Sequence, residues 1–137
     1  MKVYIAYKFS NEESSELREK LENLDEIVKS LGFETFIFQR DVKNWDSGVL
    51  DSKIVVEKAV EELKKCDVLV CFIDGNEKSE GLLLECGYFK GLGKKVVLVV
   101  KKDVRYVLLR EFVDDVIEFE DMNDSIVRDR LKVVLEK

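Results

Sequence analysis

The chain has 137 residues, 46% of them hydrophobic and 38% charged, and it carries a net charge of −6 with no histidine and no proline. This length and composition are typical of one globular domain, while the negative charge, with lysines and glutamates interleaved, argues against nucleic-acid binding. The lack of histidine excludes Ser-His and Cys-His nucleophiles and histidine metal sites, so acid–base chemistry must come from carboxylates, lysine, tyrosine or cysteine.

The first half of the chain predicts two strands. Residues 2–7, KVYIAY, favour a strand, and residues 33–38, FETFIF, form a second such run. Between them, apolar residues recur at helical spacing until a glycine ends the pattern (Leu17, Leu21, Leu24, Val28, Leu31 and Gly32). Residues 39–48 are a polar loop whose tryptophan, Trp45, either packs against the core or stacks on a base.

The second half predicts three more strands with helices between them. Asp51 or Ser52 can cap a helix, and residues 67–73, DVLVCFI, are apolar throughout, as expected of a central strand buried on both faces. After a polar turn, a helix runs from residue 80 to Gly91 or Gly93. The remaining elements are two strands, a helix between them and a last helix (residues 95–100, residues 115–119, and the helix containing Ile126, Val127, Leu131 and Val134).

This alternation of strands and helices predicts an α/β fold. We expect a flavodoxin-like (Rossmann-like) three-layer sandwich with a five-stranded parallel sheet, formed by residues 1–137 as a single domain. Ligands of such sheets bind beyond the carboxyl ends of the strands, near the point where the strand order reverses. The candidate loops are therefore residues 7–11, 39–48 and 74–81.

One acid, Glu85, projects from the centre of the apolar stripe of the helix that begins at residue 80. Five neighbours fall within about 60° of it on a helical projection (Gly81, Leu82, Tyr88, Phe89 and Leu92). A carboxylate directed at a core costs several kcal/mol unless it is paired, hydrogen-bonded or open to a cavity. Glu85 therefore either hydrogen-bonds to backbone or tyrosine groups within the core, or it lines a pocket.

The start of the same helix offers groups that can bind an anion. Ser79 supplies a hydroxyl, the first turn supplies free N–H groups, and Gly81 allows close approach, a combination that suits phosphate. Ser79 can equally serve only as the helix cap. Nearby, Tyr7 either borders a sugar or caps the core, and Asp74 is either a ligand group or part of a turn.

The remaining features predict a cytoplasmic protein without metal or cofactor. The three cysteines (Cys66, Cys71 and Cys86) have the spacing of neither a disulfide framework nor a zinc site, and we expect them to be buried apolar residues. No apolar run approaches the roughly 20 residues that span a bilayer, and the first residues lack the pattern of a secretion signal. We expect no contact with a membrane.

Residues 66–100 resemble the nucleoside 2-deoxyribosyltransferase superfamily. Members carry a buried strand, a polar turn, a helix start with glycine, a Glu-Leu-Gly-Tyr-Ala segment and an Ala-Leu-Gly-Lys-Pro-Val segment. The last two read ECGYF at residues 85–89 and GLGKKV at residues 91–96. The resemblance implies that the chain is one such domain, that it acts on a nucleotide or nucleoside, and that it forms a homo-oligomer.

The resemblance also implies roles for individual residues. Glu85 takes the position of the nucleophile that attacks the anomeric carbon, expels the base and forms a glycosyl ester, which water or a second base resolves. Transferases have an aspartate six residues earlier, where this chain has Ser79, as the 2′-deoxynucleoside 5′-phosphate N-hydrolases do. In those hydrolases the serine contacts the 5′-phosphate of the substrate. The resemblance therefore implies that Ser79 binds a 5′-phosphate in this chain, where Lys8 can add positive charge to the same phosphate.

Two positions depart from the family pattern. Ala59 stands where the family usually has a helix aspartate that helps to protonate the leaving base or to hold the sugar. A different acid, such as Asp41, Asp46 or Asp74, must therefore replace it, or the deoxyribosyl activity is lost. Leu83 stands where a small glycine is common. These departures leave open a nucleotide-binding module without catalysis.

A weaker resemblance connects the chain to TIR domains, which cleave NAD or act in signalling by self-association. Their first strand resembles VYIAY, and a serine stands six residues before their catalytic glutamate, as in SEGLLLE at residues 79–85. The GYFKGLGKKV continuation favours the deoxyribosyltransferases, and TIR helices usually carry Trp-Cys where Gly81 and Leu82 stand.

Overall fold

Five parallel strands form the centre of the structure. The computed structural model describes residues 1–8, 15–46, 48, 50–121 and 125–137. The sheet has the order β2-β1-β3-β4-β5, and all four pairings are parallel. The strands are β1 (Lys2–Tyr7), β2 (Glu34–Ile37), β3 (Val68–Ile73), β4 (Lys95–Lys101) and β5 (Asp115–Phe119). The flavodoxin-like fold predicted from the sequence is confirmed.

Within the described residues, six helices cover both faces of the sheet, five of them between strands and α6 after the last strand. They are α1 (Ser15–Ser30), α2 (Phe38–Asp41), α3 (Ser52–Lys65), α4 (Glu80–Gly91), α5 (Val107–Phe112) and α6 (Ser125–Leu135). Side chains of α1 and α6 pack against one face, and those of α3, α4 and α5 against the other. None of these helices of the described residues is long and apolar enough to cross a membrane.

The alternation of side chains along β1 decides which residue meets which helix layer. Val3, Ile5 and Tyr7 pack in the core beneath α1 and α6, whereas Tyr4 and Ala6 pack beneath α3, α4 and α5. Successive residues of a strand point to opposite faces, so Tyr4 and Tyr7 must lie on different sides of the sheet.

Local sequence signals explain where the helices begin and end. Asp51 caps α3, with its Oδ1 accepting a hydrogen bond of 2.8 Å from the Lys53 backbone N–H. Gly32 follows α1 with a φ of +96°, and Gly93 follows α4 with a φ of +76°, a backbone region that suits glycine. The predicted bounds of these elements are therefore close to those of the structure.

The predicted polar loop at residues 39–48 contains a helical turn, α2, that the sequence pattern did not indicate. Gln39 is only 2% exposed, and its Nε2 donates a hydrogen bond of 2.8 Å to the Asp46 carbonyl. Trp45 packs partly against the core, and the Arg18 guanidinium lies 4.7 Å from the centre of its ring. This polar segment is ordered because its side chains bond to its own backbone. Residue 47 lies outside the described residues.

Candidate active site

The strand order reverses between β1 and β3. Tyr7 at the end of β1 pairs with Phe72 near the end of β3, so the segments that follow the two strands begin side by side. This is the position at which flavodoxin-like sheets bind ligands. Residues 9–11 of the first predicted loop lie outside the described residues, but Lys8 and the whole segment from Asp74 to α4 are described.

A hydrogen bond joins Glu85 on α4 to Tyr4 on β1. The Tyr4 hydroxyl donates to Oε2 of the Glu85 carboxylate. Tyr4 is 1% exposed, and its ring centre lies 5.0 Å from that of Phe36. Glu85 itself is half-buried. The carboxylate is thus held at a defined point by a side chain that cannot itself move far.

Burial makes the Glu85 carboxyl group a weaker acid than a glutamate in water. Loss of contact with water raises its pKa from 4.5 to about 7, although the hydrogen bond from Tyr4 alone would lower it. The pKa of Tyr4 is raised as well, first by burial and then by the charge of Glu85, so Tyr4 stays protonated and remains the donor. At neutral pH the site therefore holds a carboxyl group that is close to half ionised.

Glu85 lies at the edge of the buried stripe of α4 and not at its centre. Leu82, Cys86 and Phe89 are buried, whereas Gly81 is exposed and Leu92 is 42% exposed. The three buried residues are centred about 60° away from Glu85 on the helix. The prediction that Glu85 projects from the centre of the stripe is therefore wrong, because Gly81 and Leu92, which the helical projection places on one side of it, are exposed.

Ser79 caps α4. Its Oγ accepts a hydrogen bond of 3.3 Å from the Leu82 backbone N–H. Gly81, two residues later, is exposed, and a Cβ placed on it would meet no protein atom within 4 Å. The first turn of α4 therefore presents an open surface beside the cap.

The turn that leads into α4 is held by several elements. Lys8 forms an ion pair with Glu77, and the Lys20 ammonium lies 2.9 Å from an oxygen of Asp74. The Tyr106 hydroxyl donates to the Glu77 carbonyl. These contacts join the turn to the end of β1, to α1 and to the segment after β4. Lys8 and Asp74 therefore each take part in an ion pair that holds the turn, Lys8 with Glu77 and Asp74 with Lys20.

The sequence profile of the family described as Nucleoside 2-deoxyribosyltransferase matches residues 3–130. The chain belongs to this family. No curated protein matches its sequence closely enough to count as a relative.

Solved structures show the same fold in other members of this architecture. A CMP N-glycosidase of Clostridium botulinum is 18% identical, with a TM-score of 0.71 over 96% of this chain and 98% of that one. A 2-deoxyribosyltransferase of Bacillus psychrosaccharolyticus is 21% identical, with a TM-score of 0.67 over 92% and 90%. A receiver domain of Clostridium thermocellum, 12% identical, reaches 0.54 over 98% and 95%, so the fold alone does not determine activity.

The three acids proposed to replace the helix aspartate of the nucleoside 2-deoxyribosyltransferases all have structural partners. Partial burial alone would raise the pKa of Asp41, but hydrogen bonds from Arg40 and from the Ile37 N–H lower it below its usual value. Asp46 accepts a hydrogen bond of 3.0 Å from the Gly48 N–H, and Asp74 is paired with Lys20.

Other predicted positions fall at different depths in the structure. Ala59 is half-buried on α3, one turn before the buried Leu63, and Leu83 is 40% exposed on α4. Tyr7 is 8% exposed and lies in the core beneath α1 and α6, as one of its two predicted roles required.

Tyr4 was not among the residues that the sequence indicated. The alternation of side chains along β1 places Tyr4 on the face that α4 covers and Tyr7 on the opposite face, so this alternation could have identified Tyr4 as the tyrosine that faces Glu85.

Glu85→Gln is expected to stabilise the protein at alkaline pH. Because the folded pKa of about 7 exceeds the usual 4.5, the folded state holds a proton that the unfolded state has lost between these values. Stability therefore falls as pH rises from 4.5 through 7, by about 3 kcal/mol in all, since each pKa unit corresponds to about 1.4 kcal/mol. Glutamine keeps an acceptor for Tyr4 and avoids this loss.

Urea denaturation at pH 4 and at pH 8 measures the effect. The free energy of unfolding of the variant should exceed that of wild type by about 3 kcal/mol at pH 8 and match it near pH 4. An equal difference at both pH values would contradict the raised pKa.

Proposed function

We propose that this protein is a cytoplasmic enzyme that cleaves the N-glycosidic bond of a nucleotide or nucleoside, with the Glu85 carboxylate as nucleophile. The observation that carries the proposal is the half-buried carboxylate held by Tyr4 beside the point where the strand order reverses. Family membership and the two glycosidic-bond enzymes of the same fold support cleavage or transfer at such a bond.

The geometry suggests how the reaction would proceed. Tyr4 holds Oε2, which leaves Oε1 of Glu85 to form a bond with the anomeric carbon as the carbon–nitrogen bond to the base breaks. The base leaves with the electron pair and takes a proton. The poorly solvated carboxylate also stabilises the positive charge that develops on the sugar. Water then attacks the anomeric carbon and releases Glu85, or a second base attacks and transfer results.

Departure of the base is expected to be the slow step. Ala59 provides no acid, and the described structure gives Asp41, Asp46 and Asp74 structural partners. We infer that the proton comes from solvent, which predicts slow turnover and a preference for bases that leave readily.

The segment around the start of α4 supports a phosphate on the substrate. Ser79, Gly81 and the first N–H groups of α4 offer hydrogen bonds and an open approach, and Lys8 lies at the adjoining end of β1. A phosphate bound there would replace Glu77 as the partner of Lys8. We therefore favour a 5′-nucleotide over a free nucleoside.

A homo-oligomer is part of the proposal. Several apolar side chains of α3 and α4 are exposed (Ile54 42%, Val56 56%, Leu83 40% and Leu84 63%). Burial of such side chains against a second copy of the chain would remove apolar surface from water, which supports a homo-oligomer.

The direct test is release of free base from each 2′-deoxynucleoside 5′-monophosphate and each matching nucleoside, followed by chromatography. Wild type should release base, and Glu85→Gln should reduce the rate by about a thousandfold or more, because the nucleophile is lost. Glu80→Gln, an exposed change of the same kind on the same helix, is the matched control.

Three outcomes of this test would replace the proposal. Equal release by wild type and Glu85→Gln would exclude the nucleophile. Nicotinamide release from NAD, with no base released from deoxynucleotides, would indicate a TIR-like activity. Saturable nucleotide binding without any turnover would indicate a binding module.

Tyr4→Phe should slow base release and change its dependence on pH. A hydrogen bond to a charged group contributes about 1.5–3 kcal/mol, so we expect a loss of about tenfold to a hundredfold at pH 7. The rate of wild type should rise as Glu85 ionises near pH 7. Without the bond, which lowers the pKa of Glu85, this rise should move to higher pH.

Rate profiles between pH 5 and pH 9 provide the measurement, with thermal unfolding as the check on folding. The double variant with Glu85→Gln should be no slower than Glu85→Gln alone, because Tyr4 acts through Glu85. A uniform loss at every pH would show that Tyr4 has another role.

Glu77→Gln should improve use of phosphorylated substrates. It removes the carboxylate that competes for Lys8, and Glu77 is mostly exposed, so the fold should tolerate the change. An exposed ion pair contributes up to about 1 kcal/mol, so KM for a nucleoside monophosphate should fall by about twofold to fivefold at unchanged kcat. KM for the matching nucleoside should not change. If Glu80→Gln lowers KM equally, net charge and not Lys8 is responsible.

A further inference from the structure

Two of the three cysteines meet across the interface between α4 and the central strand. The Sγ atoms of Cys71 on β3 and Cys86 on α4 are 2.8 Å apart, and the two side chains are 0% and 1% exposed. A disulfide bond is about 2.05 Å long, so a shift of roughly 0.75 Å would bring the sulfur atoms to bonding distance. The prediction from spacing, that the cysteines serve as apolar residues without a pairing pattern, did not anticipate this contact.

The position of the pair connects it to the helix that carries Glu85. Cys86 directly follows Glu85, and Cys71 pairs in the sheet with Ala6, two residues beyond Tyr4. Cys71 and Tyr4 belong to the same core beneath α3, α4 and α5. A bond between the sulfur atoms would therefore link α4 to the strand beside the one that bears Tyr4.

We propose that Cys71 and Cys86, which are free thiols in this structure, close an intramolecular disulfide that fixes α4 to β3 when the protein meets an oxidising thiol pool, since the reduced pool of a cytoplasm keeps such a pair as thiols. The oxidant is a small disulfide such as oxidised glutathione. One cysteine thiolate attacks it, forms a mixed disulfide and releases one glutathione. The second cysteine thiolate then attacks the protein sulfur of that mixed disulfide and releases the other glutathione. The two protein thiols lose two protons and two electrons, and one glutathione disulfide becomes two thiols.

Burial determines when this bond can form. It raises the pKa of the Cys71 thiol well above the usual value, so the reactive thiolate is scarce while α4 is docked. Oxidation is therefore expected during folding or when α4 opens locally, and it should be slow in the folded protein. Once closed, the bond is shielded from reductant by the same burial. These properties describe a structural link and not a fast redox sensor.

The third cysteine provides the matched control. Cys66 follows the last residue of α3 and is 0% exposed, but it takes no part in the contact between Cys71 and Cys86. Cys66→Ala therefore removes a buried thiol and leaves the pair intact.

The full-length chain is refolded in oxidised or in reduced glutathione, and free thiols are counted by alkylation in denaturant. We expect one free thiol after oxidation and three after reduction, a mass lower by about 2 Da, and a digest peptide that joins Cys71 to Cys86. The bond joins two cysteines that are 15 positions apart in the sequence. Its closure should raise Tm by roughly 5–10 °C in wild type and in Cys66→Ala.

The thiol count in wild type needs no substitution at the pair, so it decides the proposal even if Cys71→Ala or Cys86→Ala folds poorly. Three free thiols after oxidative refolding, or a link that includes Cys66, would overturn it. An oxidised protein whose Tm equals that of the reduced one would also overturn it, because α4 would then gain nothing from the bond. The result does not depend on the activity proposed for Glu85.

Discussion

The hydrogen bond between Tyr4 and Glu85 is the interaction on which the candidate site depends. A carboxylate at the edge of a core is unfavourable unless a donor meets it, and the donor here comes from the middle of β1. Because β1 lies between two neighbours in the sheet, it can shift little. The candidate site thus combines a carboxyl group that water stabilises poorly with a support that neighbouring strands hold on both sides.

Ion pairs hold the turn that leads from β3 into α4, the helix that carries Glu85. Lys8 and Lys20 bind the turn before α4, and Tyr106 holds its backbone from the other side. Such contacts fix the direction in which α4 begins, and so the place of Glu85 one and a half turns later. If a substrate phosphate binds Lys8 as proposed, it would have to displace Glu77, so that binding would also change a contact that holds the turn.

The sequence predicted the strands, the main helices and the position of Glu85 near the core because these follow from periodicity within short segments. It could not predict the pairing of Tyr4 with Glu85, since these residues are 81 positions apart and meet only through the strand order. The same limit applies to Lys20 with Asp74. The turn α2 was missed for another reason, because Gln39 and Asp46 bond within a segment whose polarity resembles that of an irregular loop.

Packing of the described residues does not explain why position 81 is a glycine. Glycine inside a helix costs about 1 kcal/mol relative to alanine, yet beyond the neighbouring backbone of its own helix no atom of the described residues lies within 4 Å of the place where a Cβ would stand. Packing within the described residues therefore does not require glycine at this position. A side chain here would extend from the first turn of α4 into open space, so variation at this position can change what the turn admits without disturbing the architecture.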